Sequence, residues 1–514
     1  MPPQSVLPLV LAHANAGALA EAWRLFTEAG LAEAKDDPAA LAIRGRLTKD
    51  EARAAEPAAR PALYAKAAEA YAAAGALSGA TFHLINAASL WRLAGDAPAS
   101  EAMARRVMAS LDADPDEPET PYWNVATRAE AQLLLGRFDE AQKTLAEAVA
   151  VAPRAYEDHA PTLRQFRLLT EALGRDTGWL AAFAPPRSLH FTAGAAVVAD
   201  DAALRAAVRT RLAEEKIGFG FGVLATNADL VVAEELLAGG AELDLVLPAD
   251  PHVFRAAWLP RLGEAWAARY DALLGAGVEV RVVGEPAGPV TDASLQLAAE
   301  VAMGLAELRA GALQTEALQM VIADAADDVG EASDGAPGEA GWARRRWAAS
   351  GRRQILLTAT GRAATPRAPA AGGGRRLVAS LAVGVAPEIL DQVGAALPAD
   401  AALAAPAAWA VGSLLLTFPT PETAERSARA LRAALGASVR LAAHYGVATV
   451  ADSAPLGGPV LAGLAVDLPR AILDGVPPGA WHVSETFAAG LAAARAGDRP
   501  IPVGELAGTP ILAF

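Results

Sequence analysis

The chain has 514 residues, a formal net charge of −15 and no cysteine. At about 150 residues per domain it predicts roughly three domains, and the missing cysteines exclude disulfides, thiolate zinc sites and cysteine nucleophiles. The acidic balance excludes a chain that binds nucleic acid along its length, since phosphate contact needs a basic face.

The seven histidines are scattered, with no HExxH or HxH pair, so no metal site is expected. No apolar stretch is long enough to span a bilayer, and no membrane association is expected. The apolar run near the N-terminus has no Lys or Arg before Arg24, so it lacks the basic start of a secretory signal. It reads as the first helix of a cytoplasmic protein.

Residues 1–185 read as helical and repetitive. The pattern Gly17, Ala22, Phe26, Ala29 recurs as Gly75, Ala80, Leu84, Ala87 and as Gly136, Ala141, Leu145, Ala148. Glycine is expected to turn the chain, small alanines to let helices approach, and Phe or Leu to fill the groove between them. With Pro153 after the last copy, the segment resembles a tetratricopeptide repeat, although the glycines recur at intervals unlike that family's repeat of ~34 residues. The resemblance implies a solenoid that binds a protein partner.

From about Arg187 the period changes. The runs 188–194, 243–250, 278–285 and 353–360 read as buried strands separated by amphipathic helices, which predicts a Rossmann-like parallel sheet over residues 186–360. The stretch GFGFGVLATNADLVVAEELLAGG, with Gly218, Gly220, Gly222, Asn227 and Asp229, reads as a glycine-rich strand end running into a helix. Such glycines allow close backbone approach, and the free amides of the helix start attract an anion. This stretch resembles the SLOG superfamily of nucleotide-processing proteins. The resemblance implies a ligand site at these five residues, with room for a bound nucleotide and Glu234 as the acid or nucleophile of a nucleosidase-like reaction. Val223 and Asn227 depart from the family's small residues, and a structural turn without a ligand is the competing reading.

A charged insertion follows at 324–346, with acidic residues from Asp324 to Glu339 and then Arg344, Arg345 and Arg346 between Trp342 and Trp347. It reads either as solvated charge or as an anion-binding cluster. Residues 361–375 have a linker's composition.

The last region, 376–514, contains RRLVASLAVG, VGSLLLTF, VRLAAHYGVATV and PPGAWHVSETFAAGL. These pieces resemble the class III adenylate/guanylate cyclase domain, which implies an α+β, ferredoxin-like fold and homodimerisation. The family holds two Mg²⁺ ions with two aspartates, and the alignment of motifs puts Ser380 and Ser413 at those positions. A serine hydroxyl is a weak ligand for a hard dication that prefers carboxylate oxygen. These are therefore degenerate metal positions, and cyclase activity is expected to be absent. The family's transition-state Asn and Arg would fall near Asp467 and Arg470 or Ala471, where their four-residue spacing is not reproduced.

The whole reads as a multidomain, non-catalytic scaffold or sensor: a helical solenoid, a Rossmann-like sheet and a degenerate cyclase-like domain. It is expected to need no cofactor and to take a protein partner through residues 1–185. The competing reading is a nucleosidase acting through Glu234.

Overall fold

The computed structural model describes every residue except 1–5, 16–17, 114–119, 195–201, 325–339, 360–373, 411, 454–457 and 496–499. The acidic half of the charged insertion and most of the linker stretch therefore lie outside the described residues. The chain forms two compact units, Met1–Pro185 and Pro186–Phe514.

The first unit is all helix: α1 (Leu7–Asn15), α2 (Leu19–Glu28), α3 (Pro38–Ala54), α4 (Arg60–Ser78), α5 (Thr81–Leu93), α6 (Ala97–Ala113), α7 (Pro121–Leu134), α8 (Phe138–Val151) and α9 (Tyr156–Ala172). Local chemistry fixes several starts. The Asp37 carboxylate accepts from the Ala39 and Ala40 amides ahead of Pro38, and Thr120 caps α7 ahead of Pro121. From α1 to α8 each helix packs on the next, and α5, α7 and α9 also touch one another. The expected groove fillers Phe26, Leu84 and Leu145 are buried, as are Ala22, Ala87, Ala141 and Ala148.

One part of the repeat pattern is corrected. Gly136 does turn the chain between α7 and α8, with φ at 75°. Gly75 lies inside α4, where a Cβ would come within 2.5 Å of Leu84, and the turn into α5 falls at Gly79, with φ at 73°. The Gly75 copy thus marks a close helix contact instead of a turn, and Gly17 lies outside the described residues.

The second unit holds two sheets. In the first, β1 (Arg187–Ala193), β2 (Ile217–Gly222), β3 (Glu242–Leu247), β4 (Glu279–Val282), β5 (Ala317–Asp324) and β6 (Gln354–Ala359) are all parallel, in the order β4-β3-β2-β1-β5-β6. Helices α10 (Ala202–Glu214), α11 (Asn227–Ala238), α12 (Pro251–Trp258), α13 (Glu264–Gly275), α14 (Asp292–Leu313) and α15 (Ala340–Ala349) make the crossovers. The winding reverses between β1 and β5, and a ligand crevice in such a sheet opens at the carboxyl ends of the strands there. The residues that follow β1 and β5 lie outside the described ones.

The second sheet is mixed: β7 (Arg375–Gly384), β8 (Ala408–Ala410), β9 (Ser413–Phe418), β10 (Arg440–Ser453), β11 (Gly458–Ala462), β12 (Trp481–Ser484), β13 (Ile501–Leu506) and β14 (Thr509–Ala513). Its order is β13-β14-β12-β10-β7-β9-β8, with β11 folded onto the end of β10. Helices α16 (Leu390–Ala396), α17 (Pro421–Leu435), α18 (Leu464–Leu473) and α19 (Glu485–Ala494) complete it.

The two sheets meet where α14 packs lengthwise on α19. The approach is so close that a Cβ on Gly304 would lie 1.8 Å from the carbonyl oxygen of Ala489. Polar ties cross the same seam: the Tyr445 hydroxyl donates to Glu300 at 2.7 Å, and Arg281 reaches both Asp244 at 3.0 Å and Glu485 at 2.9 Å. The Arg352 guanidinium donates to the Ala493 carbonyl at 3.0 Å, placing a cation at the C-terminal end of α19, where the helix dipole favours it. Among the described residues, no helix is long and apolar enough to cross a membrane.

Candidate functional site

Three places carry the chemistry expected from the sequence, and a fourth emerges from the packing. The first is the turn from β2 into α11. Gly218, Gly220 and Gly222 lie within β2, one strand away from the reversal point, and not in the turn itself. A Cβ on each would meet Pro186, Leu236 and Phe191 at 2.4, 2.4 and 2.5 Å. Their small size therefore serves the sheet's own packing, which corrects the phosphate-cradle reading.

The turn is closed by the protein. Thr226 and Asp229 form a reciprocal capping box, and the Asp229 carboxylate also accepts from the Ala225 amide at 3.1 Å. Trp258 covers the turn by donating its indole N–H to the Ala225 carbonyl at 2.9 Å. The amides of Ala225, Thr226 and Asp229 are therefore already used within the turn. Asp229 is almost fully buried, and burial pushes its carboxyl up to about 7 against the hydrogen bonds that favour ionisation. Asn227 is buried too, and its side-chain oxygen has no partner among the described residues.

Glu234 sits on α11 between two guanidiniums, with Arg205 and Arg269 each 2.5 Å from its Oε2. Burial alone would raise its pKa, but the hydrogen bonds from Arg269 and Arg205 outweigh that and hold it below the usual carboxylate range. A carboxylate held ionised by two arginines is a poor general acid, and its lone pairs are committed. The neighbouring Glu235 joins the same network through Arg205 and Arg209.

The second place is the pair of serines. Ser380 on β7 stands opposite Thr417 of β9 and His444 of β10, whereas Ser413 stands opposite Gly384. The two serines are thus four ladder pairs apart, roughly 13 Å along the strand. Ligands that share an ion must lie within a few ångströms of each other, so these two positions do not form one metal site, and the pairing of Ser380 with Ser413 is corrected. The residue facing Ser413 is Gly384, and a Cβ there would point at Leu473 and the Arg440 guanidinium, 3.2 and 3.3 Å away. A cation stands where a carboxylate pair would have to gather dications.

Ser380 belongs instead to a buried polar row. His444 bonds Ser484 at 2.8 Å and Thr486 at 3.1 Å, while the hydroxyls of Ser380 and Thr417 have no partner among the described residues. Burial pushes the His444 imidazole down to about 4, so it is neutral near pH 7. Among the described residues, no cluster of three or more acidic or His side chains is arranged to hold a metal. Asp467 is exposed on α18, and Arg470 donates to the Ala408 carbonyl at 3.3 Å, so the two do not converge on either serine.

The third place is the arginine run on α15, which the structure divides. Trp347 is core, stacked on His190 with its indole N–H bonded to the Arg353 carbonyl. Arg345 is exposed and Arg344 is half-buried. Arg346 and Trp342, one helical turn apart, both line a cavity of about 630 Å³ on the seam between the two sheets.

That cavity is the fourth place. Its walls include Asp292, Gln296 and Glu300 of α14, Arg375 and Arg376 at the start of β7, and the Thr420–Pro421 entry to α17. Arg346 pairs with Glu422 at 2.9 Å through one terminal nitrogen, while its Nε and Oδ1 of Asp292 are buried with no partner among the described residues. Arg375 lies 3.8 Å from Glu285, and Arg376 has no carboxylate partner among the described residues. Glu300 accepts from Tyr445 and Gln296, and burial raises its pKa, which lowers its negative charge. The cavity is therefore cationic, with an aromatic wall.

No protein-family model matches the chain, and none of the curated proteins matches it by sequence. Solved structures are similar to parts of it. One is the guanylyl cyclase domain of the RhoGC fusion protein from the aquatic fungus Blastocladiella emersonii, 11% identical over 27% of this chain and 95% of that one, with a TM-score of 0.22. Another is the guanylyl cyclase Cya2, 18% identical over 27% of this chain and 93% of that one, with a TM-score of 0.21. A third is a tetratricopeptide repeat protein from Parabacteroides merdae, 13% identical over 46% of this chain and 72% of that one, with a TM-score of 0.26.

Proposed function

We propose that this chain is a non-catalytic scaffold whose helical unit binds a protein partner. The observation that carries the reading is a polar seam linking successive odd-numbered helices. Lys49 of α3 donates to Asn86 of α5 at 3.3 Å; Ser89 of α5 and Gln165 of α9 both donate to Glu130 of α7. Lys49, Asn86, Glu130 and Gln165 lie partly accessible, and Ser89 is buried, in a unit otherwise packed with alanine and leucine.

Neither charge is neutralised by a direct ion pair among the described residues. Burial, with help from Arg53 and Arg46, pushes the Lys49 ammonium down to about 8, and burial raises the Glu130 carboxyl. A partner that brings an acceptor to Lys49 and a donor to Glu130 would relieve both penalties. The non-catalytic half of the reading is supported by the closed β2–α11 turn, the clamped Glu234 and the separated serines.

The test has two arms. Affinity capture with the full chain is expected to retain one protein in stoichiometric amount and to lose it in Lys49→Met and Glu130→Gln, whose helical circular dichroism stays unchanged. Capture indifferent to both substitutions overturns the binding reading. In the second arm, a nucleotide panel with Mg²⁺ or Mn²⁺ yields neither free base nor cyclic nucleotide; turnover that Glu234→Gln abolishes would replace the scaffold with a nucleosidase.

A further inference from the structure

We propose that the cavity between the two sheets is a binding site for a small organic phosphate monoester that carries a flat ring. It is independent of the helical unit and of both positions at which catalysis was expected.

Charge sets the first requirement. Arg346, Arg375 and Arg376 line one space; Arg346 pairs with Glu422, Arg375 lies 3.8 Å from Glu285, and Arg376 has no carboxylate partner among the described residues. A guanidinium is a planar fork of donors that matches phosphate oxygens two at a time. Arg346 spends one terminal nitrogen on Glu422, and its side chain, 28% exposed, lines the cavity.

The second requirement comes from an acceptor group: the half-buried carboxyl of Asp292 lines the same cavity. A bare phosphate offers it nothing, whereas a hydroxyl or amino group would. The ligand therefore has a donor group as well as a dianionic end.

Shape gives the third. Trp342 precedes Arg346 by one helical turn, so an indole stands on the same helix face as the phosphate-directed guanidinium. A flat ring on Trp342 gains stacking of the kind that makes aromatic walls common in ligand sites. The cavity, at about 630 Å³, lies within the usual range for small-molecule sites, roughly 300–1,000 Å³. Nucleoside monophosphates combine the phosphate, the hydroxyls and the flat ring, and are the simplest probes.

The experiment is isothermal titration of the full chain with AMP, GMP, CMP and UMP, alongside adenosine and inorganic phosphate. At least one monophosphate is expected to bind with Kd of about 1–100 μM, and adenosine at least ~10-fold more weakly, with the monophosphate affinity falling as salt is raised. The double variant Arg375→Ala/Arg376→Ala should weaken the monophosphate at least ~10-fold. Trp342→Ala should bring it to within about threefold of inorganic phosphate. Both arginines sit at a strand start with partly accessible side chains, so the double variant should keep the parent's thermal midpoint. The proposal is overturned if no monophosphate binds at about 5 mM, or if the double variant binds as the parent does. Inorganic phosphate binding as tightly as every nucleotide would overturn the ring requirement and with it the assignment.

Discussion

Replacing Gly304 by alanine tests whether the two sheets of the second unit are one body. In an accessible helix interior this change stabilises by about 0.5–1 kcal/mol, because alanine loses less backbone entropy on folding. At 304 the new methyl would lie 1.8 Å from the carbonyl oxygen of Ala489, 2.3 Å from its carbon and 2.6 Å from its Cα. Ordinary contact is more than an ångström longer, and the obstacle is backbone, which cannot rotate aside. Helices α14 and α19 must separate, and overpacking of this kind costs about 1–3 kcal/mol, sometimes more. The separation also loosens Val301 and Ala302 of α14, both buried. The expected net loss is about 2 kcal/mol, read by differential scanning calorimetry as a lower midpoint for the second unit's transition. Gly394 in α16 is the control: nothing lies within 4 Å of its Cβ position, so alanine there should raise stability by about 0.5–1 kcal/mol. A midpoint that rises in both variants refutes the backbone-to-backbone seam.

Ser380→Ala removes a fully buried hydroxyl with no partner among the described residues, and should raise stability by about 1 kcal/mol in urea titration; a loss of that size would mean the hydroxyl is bonded. Aspartate at both Ser380 and Ser413 should add no Mn²⁺ binding by calorimetry, because the two positions are four ladder pairs apart; a stoichiometric Mn²⁺ site would refute that register. Burial raises the Asp229 carboxyl to about 7, so its contribution to stability is fully present below the ordinary aspartate range and lost as pH rises through 7. Asp229→Asn should therefore gain on the parent between pH 5 and pH 8, by at most about 3 kcal/mol, and a constant difference across that range would refute the shift. Glu234 shifts the other way: its carboxyl is depressed, so its contribution holds above the ordinary glutamate value and fades as pH falls below it. Glu234→Gln should cost about 1–3 kcal/mol at pH 7 and less near pH 3, as read by urea midpoints.

Strands β1, β3, β4 and β6 are legible in the sequence because each is a short apolar run bounded by turn residues. Strand β5 is not, since Gln319 interrupts ALQMVIAD; the side chain is buried and bonded to His190 at 3.1 Å and Gln354 at 2.6 Å. A polar residue satisfied by distant partners looks, in one dimension, like a break. The glycines of β2 mislead for a related reason. Glycine marks turns when only local chemistry is considered, but Gly220 and Gly222 are small because Leu236 and Phe191 press on them. The serines mislead through register: the sequence shows that no carboxylate stands at either position, while only strand pairing shows that Gly384 is the residue facing Ser413.

The cavity shows the limit of reading regions separately. Arg346 and Trp342 belong to a crossover of the parallel sheet, while Arg375 and Arg376 open the first strand of the mixed sheet. Read along the chain, the first pair looks like the basic half of a solvated insertion and the second like the end of a linker. They share a wall only because α14 docks on α19, and that docking depends on Gly304, a residue with no side chain to announce it. Tyr445 and Glu300 tie the same seam with a buried hydrogen bond, which the low local dielectric strengthens and in which the phenol stays protonated to donate. The helices whose contact makes the second unit one body therefore also assemble the cationic wall. Loosening the seam at Gly304 should weaken phosphate binding along with stability, even though the glycine touches no part of the cavity.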